Sequence, residues 1–109
     1  MIIPAFPFQI IDWTEVPSEL KQGISGTATW QVIMAGNVRI RKLVYSPGFM
    51  ADHWCSKGHI IHCLEGEMKT ELADGRIMLL KQGMSYIVGD ENEAHRSSTK
   101  FGCTLFVVD

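Results

Sequence analysis

The chain is 109 residues long and 46% hydrophobic, enough to bury one compact core but not two. Ten Lys and Arg stand against twelve Asp and Glu, a net charge of −2 with no basic stripe, which argues against a nucleic-acid partner. The apolar opening Met1-Ile2-Ile3-Pro4-Ala5-Phe6-Pro7 holds two prolines, no preceding Lys or Arg and no small-residue cleavage site, so neither a secretory leader nor a membrane span is expected. Three cysteines make no disulfide framework, and a reducing cytoplasm suits them.

Residues 2–13 carry Ile2, Ile3, Phe6, Phe8, Ile10, Ile11 and Trp13, too apolar for a solvated tail. Such an arm must pack, either across its own domain or across a partner subunit. Residues 18–22 suit one helical turn, capped by Ser18 and ended by Gly23. From residue 27 onward, short segments rich in Val, Ile, Tyr, Phe and Thr alternate with Gly, Asn and Asp turn signals. Strands are expected over 27–34, 38–45, 59–64, 67–73, 76–80, 85–88, 94–97 and 103–108. Asp74-Gly75 is the stronger turn signal, because both residues tolerate the positive φ that a type I′ hairpin requires. This rhythm predicts one all-β domain over 1–109, a sandwich or barrel over 27–109 preceded by the arm and turn of 1–26.

Potential metal ligands concentrate in His53-x-Cys55-x-x-x-His59, with His95 far downstream. Neutral imidazole and thiolate suit Zn(II), Fe(II), Cu or Ni, whereas Mg and Ca prefer oxygen ligands. A chance polar cluster on a turn is the alternative. His53 and Cys55 are two apart, so an extended backbone sends both the same way, and a turn through Ser56-Lys57-Gly58 lets His59 enter on the neighbouring strand. Alternation from residue 59 places His59, Ile61, Cys63 and Glu65 on one face and Ile60, His62 and Leu64 on the other, so that His62 reads as structural. Cys63 and Cys103 read as small buried hydrophobes. Arg39 and Arg41 share a strand face; they would either clamp a substrate carboxylate or form a solvated face or edge. Trp30, Phe49, Met50, Trp54, Met84 and Tyr86 are candidates for a pocket wall or for plain core. Ser97 has the parity of His95, while Asp52 and Trp54 have the opposite parity to His53 and suit a turn-fixing role.

The stretch from Gly48 to Gly66 resembles the first signature of the cupins, which runs Gly, five residues, His-x-His, three or four residues, Glu, six residues, Gly. Here Gly48 leads by four residues to His53, Cys55 takes the second His position, His59 the Glu position, and Gly66 follows after six residues. Of the second signature His95 is matched, while Gly83 stands one residue too far upstream and the Pro, Gly and Asn are replaced. The chain also resembles a subgroup of small cupins named for an Asp-His-Cys-Trp motif, whose four residue types stand here as Asp52-His53-Trp54-Cys55. The resemblance implies a jelly-roll barrel in which His95 joins His53, Cys55 and His59 on one divalent metal, Zn or Fe ahead of Ni, Cu or Mn. It also implies a homodimer built through the arm. The expected function is a small metalloenzyme acting on a small polar molecule held by Arg39, Arg41 and Ser97, with O2-dependent oxidation ahead of isomerisation or hydrolysis. The alternative is a non-catalytic binding or sensing module with a structural metal.

Overall fold

Alternating burial in short extended segments leaves two sheets with a core between them. The structure, a computed structural model, describes residues 2–109. Its strands are β1 (Glu19–Gln22), β2 (Thr27–Ala35), β3 (Val38–Tyr45), β4 (His59–Leu72), β5 (Ile77–Lys81), β6 (Ser85–Val88), β7 (His95–Ser98) and β8 (Cys103–Val108). Ahead of them lies a 3-10 turn at Trp13–Glu15, where the Asp12 carboxylate accepts from the Thr14 backbone N–H. All pairings between strands are antiparallel. The order β1-β2-β3-β8-β4 makes one sheet, closed by β6 on the first residues of β4, while the later residues of β4 pair with β5 and β7 in the other. No helix among the described residues is long and apolar enough to cross a membrane.

β4 belongs to both sheets, and its glycine explains how. Segments 59–64 and 67–73 were expected as two strands, but the chain passes straight through Glu65-Gly66. The register on β8 slips between Cys63 and Glu65, so Glu65 is exposed and does not share the inward face of His59 and Cys63, and Gly66 takes φ +77 where its α-carbon lies against the backbone of Gly102. A Cβ at that point would collide with the Gly102 carbonyl oxygen. The glycine therefore marks a bulge that re-aims one strand, not a reversal of the chain. The hairpin at Asp74-Gly75 forms and pairs Met68 with Leu80, but not through the expected type I′ turn: Gly75 takes φ +96 while Asp74 keeps negative φ, and the Gly75 N–H donates to the Leu72 carbonyl across a tight turn that Gly75 ends.

The helical turn over 18–22 is not formed. Residues 19–22 extend as β1 and pair with β2 from Glu19 against Trp30 to Gln22 against Thr27. Five residues give an isolated helix too little to offset its nucleation, whereas the open edge of β2 supplies backbone partners at once.

Leu43, Ile61, Cys63, Met68, Leu80, Cys103, Leu105 and Val107 fill the space between the sheets, with Trp30, Tyr45 and Tyr86 packed against them. Both Cys63 and Cys103 lie in this core, and burial pushes the Cys63 thiol up and that of Cys103 to about 11. The arm lies outside it. Trp13 meets Phe106 edge to face at 6.3 Å, and Gln31 Nε2 donates to the Trp13 and Val16 carbonyls, but Ile2, Ile3, Phe8 and Ile10 stay largely exposed on the single chain.

Candidate metal centre

His59 is the first residue of β4, and its inward parity buries it to 8% exposure. His95 is the first residue of β7 and is 3% exposed. Cys55 sits on the connection between β3 and β4, yet it is not loosely held. Its N–H donates to the His95 carbonyl at 2.8 Å and its carbonyl accepts from the His95 N–H at 2.9 Å, so the two residues face each other as a single antiparallel bridge. That bridge brings Cys55 Sγ to 3.6 Å from His59 Nε2, which itself lies 2.8 Å from His95 Nε2. The three donor atoms all fall within 4.8 Å of one another.

The hydrogen bonds on the far side of each ring decide what those nitrogens offer. His95 Nδ1 lies 2.9 Å from the Glu93 carbonyl, which can only accept, so Nδ1 carries the proton. His59 Nδ1 lies 2.9 Å from Asp109 Oδ2. Burial would raise the Asp109 carboxyl, but hydrogen bonds from Arg39 and His59 and the charges of Arg41 and Arg39 outweigh it and hold the group at about 2, ionised and accepting. Both rings therefore turn a bare Nε2 lone pair towards the other. Burial also pushes the His59 imidazole below its ordinary value, against the hydrogen bond to Asp109, which disfavours filling the gap with an extra proton. Two converging lone pairs with a thiol beside them form a site suited to an electrophile. A metal fits, with a small outward shift: two nitrogens each about 2.1 Å from one ion stand about 3.0 Å apart at a right angle.

His53 is not among the three. Its side chain is 76% exposed and its Nδ1 lies 2.6 Å from the Asp52 carboxylate, although it lines the same cavity. Asp52 thus fixes His53, and Trp54 carries the Arg96 guanidinium over its ring at 4.8 Å. Ser97 lines the cavity as its parity requires. His62 faces outward, with Nδ1 2.7 Å from Ser85 Oγ.

Arg39 and Arg41 are occupied. Arg39 Nε donates to Asp109 Oδ1 at 2.9 Å and Arg41 Nη2 to Oδ2 at 3.0 Å, with Arg41 buried and its guanidinium 4.8 Å from the Trp30 ring centroid. A solvated face does not describe Arg41. The carboxylate these two arginines hold is supplied by the chain itself. Asp109 did not emerge from the sequence, although a signal was present: Cys103, Leu105, Val107 and Asp109 share one parity, which turns an acid inward beside two inward arginines.

The cavity above the three donors has a volume of about 430 Å³. Trp30, Phe49 and Tyr86 of the proposed wall line it, joined by Tyr45, while Met50, Trp54 and Met84 do not. Tyr45 stacks on Phe49 at 4.2 Å, and burial pushes its hydroxyl to about 12 and that of Tyr86 well up.

No protein-family model matches the chain, and no curated protein does. Solved structures do match. A predicted oxalate decarboxylase from Thermotoga maritima superposes with a TM-score of 0.77 at 15% identity, over 92% of this chain and 96% of that one. An RmlC-like cupin from Shewanella frigidimarina gives 0.71 at 18% identity, over 94% of this chain and 89% of that one. The fold is that of the cupins. Among other cupin-fold structures, Fe(II)-HppE with an alternative substrate gives 0.76 at 16% identity, over 94% of this chain and 60% of that one. Within this fold Cys55, His59 and His95 form a cluster that could hold a metal ion.

Proposed function

We propose that this small cupin holds one divalent transition metal through Cys55, His59 and His95, with His53 as a fourth ligand recruited from the cavity rim, and that it acts on a small polar molecule. The observation that carries the reading is the pair of Nε2 lone pairs facing each other at 2.8 Å beside a thiol. Nitrogen and sulfur donors suit zinc and iron, with nickel, copper and manganese as alternatives. Such an ion supplies Lewis acidity or, for iron, one-electron chemistry with O2. O2-dependent oxidation is preferred to isomerisation or hydrolysis because three protein ligands, or four on an octahedral ion such as Fe(II), leave positions open and because iron is named in one structural neighbour.

The chain's own residues do the rest. Trp30, Phe49 and Tyr86 wall the cavity and exclude water from one side of the centre, while Ser97 offers a hydroxyl on the same lining. Arg39 and Arg41 hold Asp109, so their share in substrate binding is the positive charge they bring to the wall. The three thiols are free, as suits the cytoplasm.

We also propose a homodimer. The chain exposes 6847 Å² at 12.2 kDa, whereas a folded monomer of that mass exposes roughly 6,100 Å². The difference is close to the ~800 Å² that each partner buries in an interface of standard size. Ile2, Ile3, Phe8 and Ile10 account for part of it. Deleting residues 2–13 should abolish the dimer in sedimentation; a monomeric full-length chain would refute it.

Elemental analysis of protein purified without a metal-affinity tag tests the main reading. About one transition-metal ion per chain is expected, and protein that neither carries nor takes up Zn(II), Fe(II) or Co(II) would sink it.

A further inference from the structure

Asp109 presents one carboxylate to three side chains at once. Its Oδ1 accepts from Arg39 Nε at 2.9 Å; its Oδ2 accepts from Arg41 Nη2 at 3.0 Å, Arg39 Nη2 at 3.2 Å and His59 Nδ1 at 2.9 Å. The side chain is 1% exposed, and those of Arg41 and His59 are each 6% exposed. The backbone is clamped at the same place, since the Asp109 N–H donates to the Arg39 carbonyl and the Asp109 backbone oxygen accepts from the Arg39 N–H. A guanidinium cannot accept a hydrogen bond and cannot give up its charge. Of the three partners, only His59 has a second tautomer to adopt.

We infer that Asp109 is a positioning residue for the centre: its carboxylate, locked by Arg39 and Arg41, keeps the proton of His59 on Nδ1 and thereby holds the Nε2 lone pair in the cavity beside Cys55 and His95. The Arg pair then serves the centre from behind instead of reaching for a substrate. The value of that lone pair to a metal rests on the metal-binding reading above; the tautomer does not. A carboxylate behind a ligating imidazole fixes ring orientation and raises ligand basicity, and its loss costs about ten- to a hundredfold in metal affinity.

Asp109→Ala removes the acceptor outright. Behind His59 the Arg39 and Arg41 guanidiniums then remain, and both can only donate. His59 then moves its proton to Nε2, where it donates to His95 Nε2 across the 2.8 Å gap and closes the site. Asp109→Asn is the conservative control: its amide oxygen can take the place of Oδ2, which Arg41 and His59 share, and keep the wild-type tautomer. Long-range 15N–1H NMR on metal-free protein reads this directly. The wild type should show His59 protonated on Nδ1 and the Ala variant on Nε2, with Co(II) affinity in competition with a chromophoric chelator reduced about ten- to a hundredfold. A wild-type His59 protonated on Nε2 would overturn the inference without any variant, so a poorly folding Asp109→Ala does not protect it. An Asp109→Ala protein with lower thermal stability but unchanged tautomer and Co(II) affinity would overturn it too, reducing Asp109 to a strand-end staple. A wild type that ignores Co(II) yet shows the tautomer exchange would remove the metal reading and leave the hold of Asp109 on His59 standing.

Discussion

Two of the three clustered donor residues stand on strands and the third on a connection, and the two kinds are secured differently. His59 and His95 are buried, and each ring is fixed from behind, one by Asp109 and the other by the Glu93 carbonyl. Cys55 is half-buried and has no such side-chain anchor; its position comes from two backbone hydrogen bonds to His95. Further along the same connection, His53 has only Asp52, at the surface. Preorganisation therefore falls off from strand to loop, and the effect of removing a ligand should fall off in the same order.

The largest loss is expected for His95→Ala. It deletes one of two facing nitrogens and leaves His59 Nε2 without a counterpart, so metal content should drop to background by elemental analysis. Retention of full stoichiometry would show that the strand-borne pair is not the anchor. Cys55→Ser should come next, because it removes a thiolate charge while the backbone bridge to His95 remains. Metal affinity should fall about ten- to a hundredfold with the fold intact. If metal and thermal stability vanish together instead, the ion is a structural staple and the binding-module reading gains.

A thiol count sharpens the contrast without any mutation. Cys63 and Cys103 lie in the core with thiols pushed up by burial, whereas Cys55 reaches the cavity. A disulfide-exchange reagent should modify one thiol per folded metal-free chain at mildly alkaline pH and none once Co(II) is bound. Reaction of two or three thiols would mean that the core opens more readily than its packing implies.

What the sequence made legible follows the same gradient. Alternation along residues 59–64 was enough to turn His59 and Cys63 inward and His62 outward, because the period of a strand is independent of its partners. The ends of β3, β6 and β8 fell where turn residues put them. Local signals failed where a distant partner decided the outcome. Residues 18–22 became a strand because β2 offered an edge, and Glu65-Gly66 became a bulge because Gly102 lay across it. Asp109 is the most informative omission: inward parity was readable, but its meaning depended on β3 lying beside β8, a pairing that no local pattern announces.

The smallest effect, and the finest test of the comparison, belongs to His53. Its side chain must leave Asp52 and become ordered to reach the three clustered donors, and both steps subtract from what a fourth ligand adds. His53→Ala should therefore lower metal affinity only about two- to tenfold, less than Cys55→Ser. His62→Ala supplies the baseline, since it faces outward onto Ser85 and should change neither metal affinity nor, beyond about 0.5 kcal/mol, stability. A His53 variant indistinguishable from the His62 variant in chelator competition would confine the centre to Cys55, His59 and His95. A loss as large as that of His95→Ala would instead mean that the connection after β3 closes onto the metal as firmly as the strands do, and the gradient from strand to loop would be wrong.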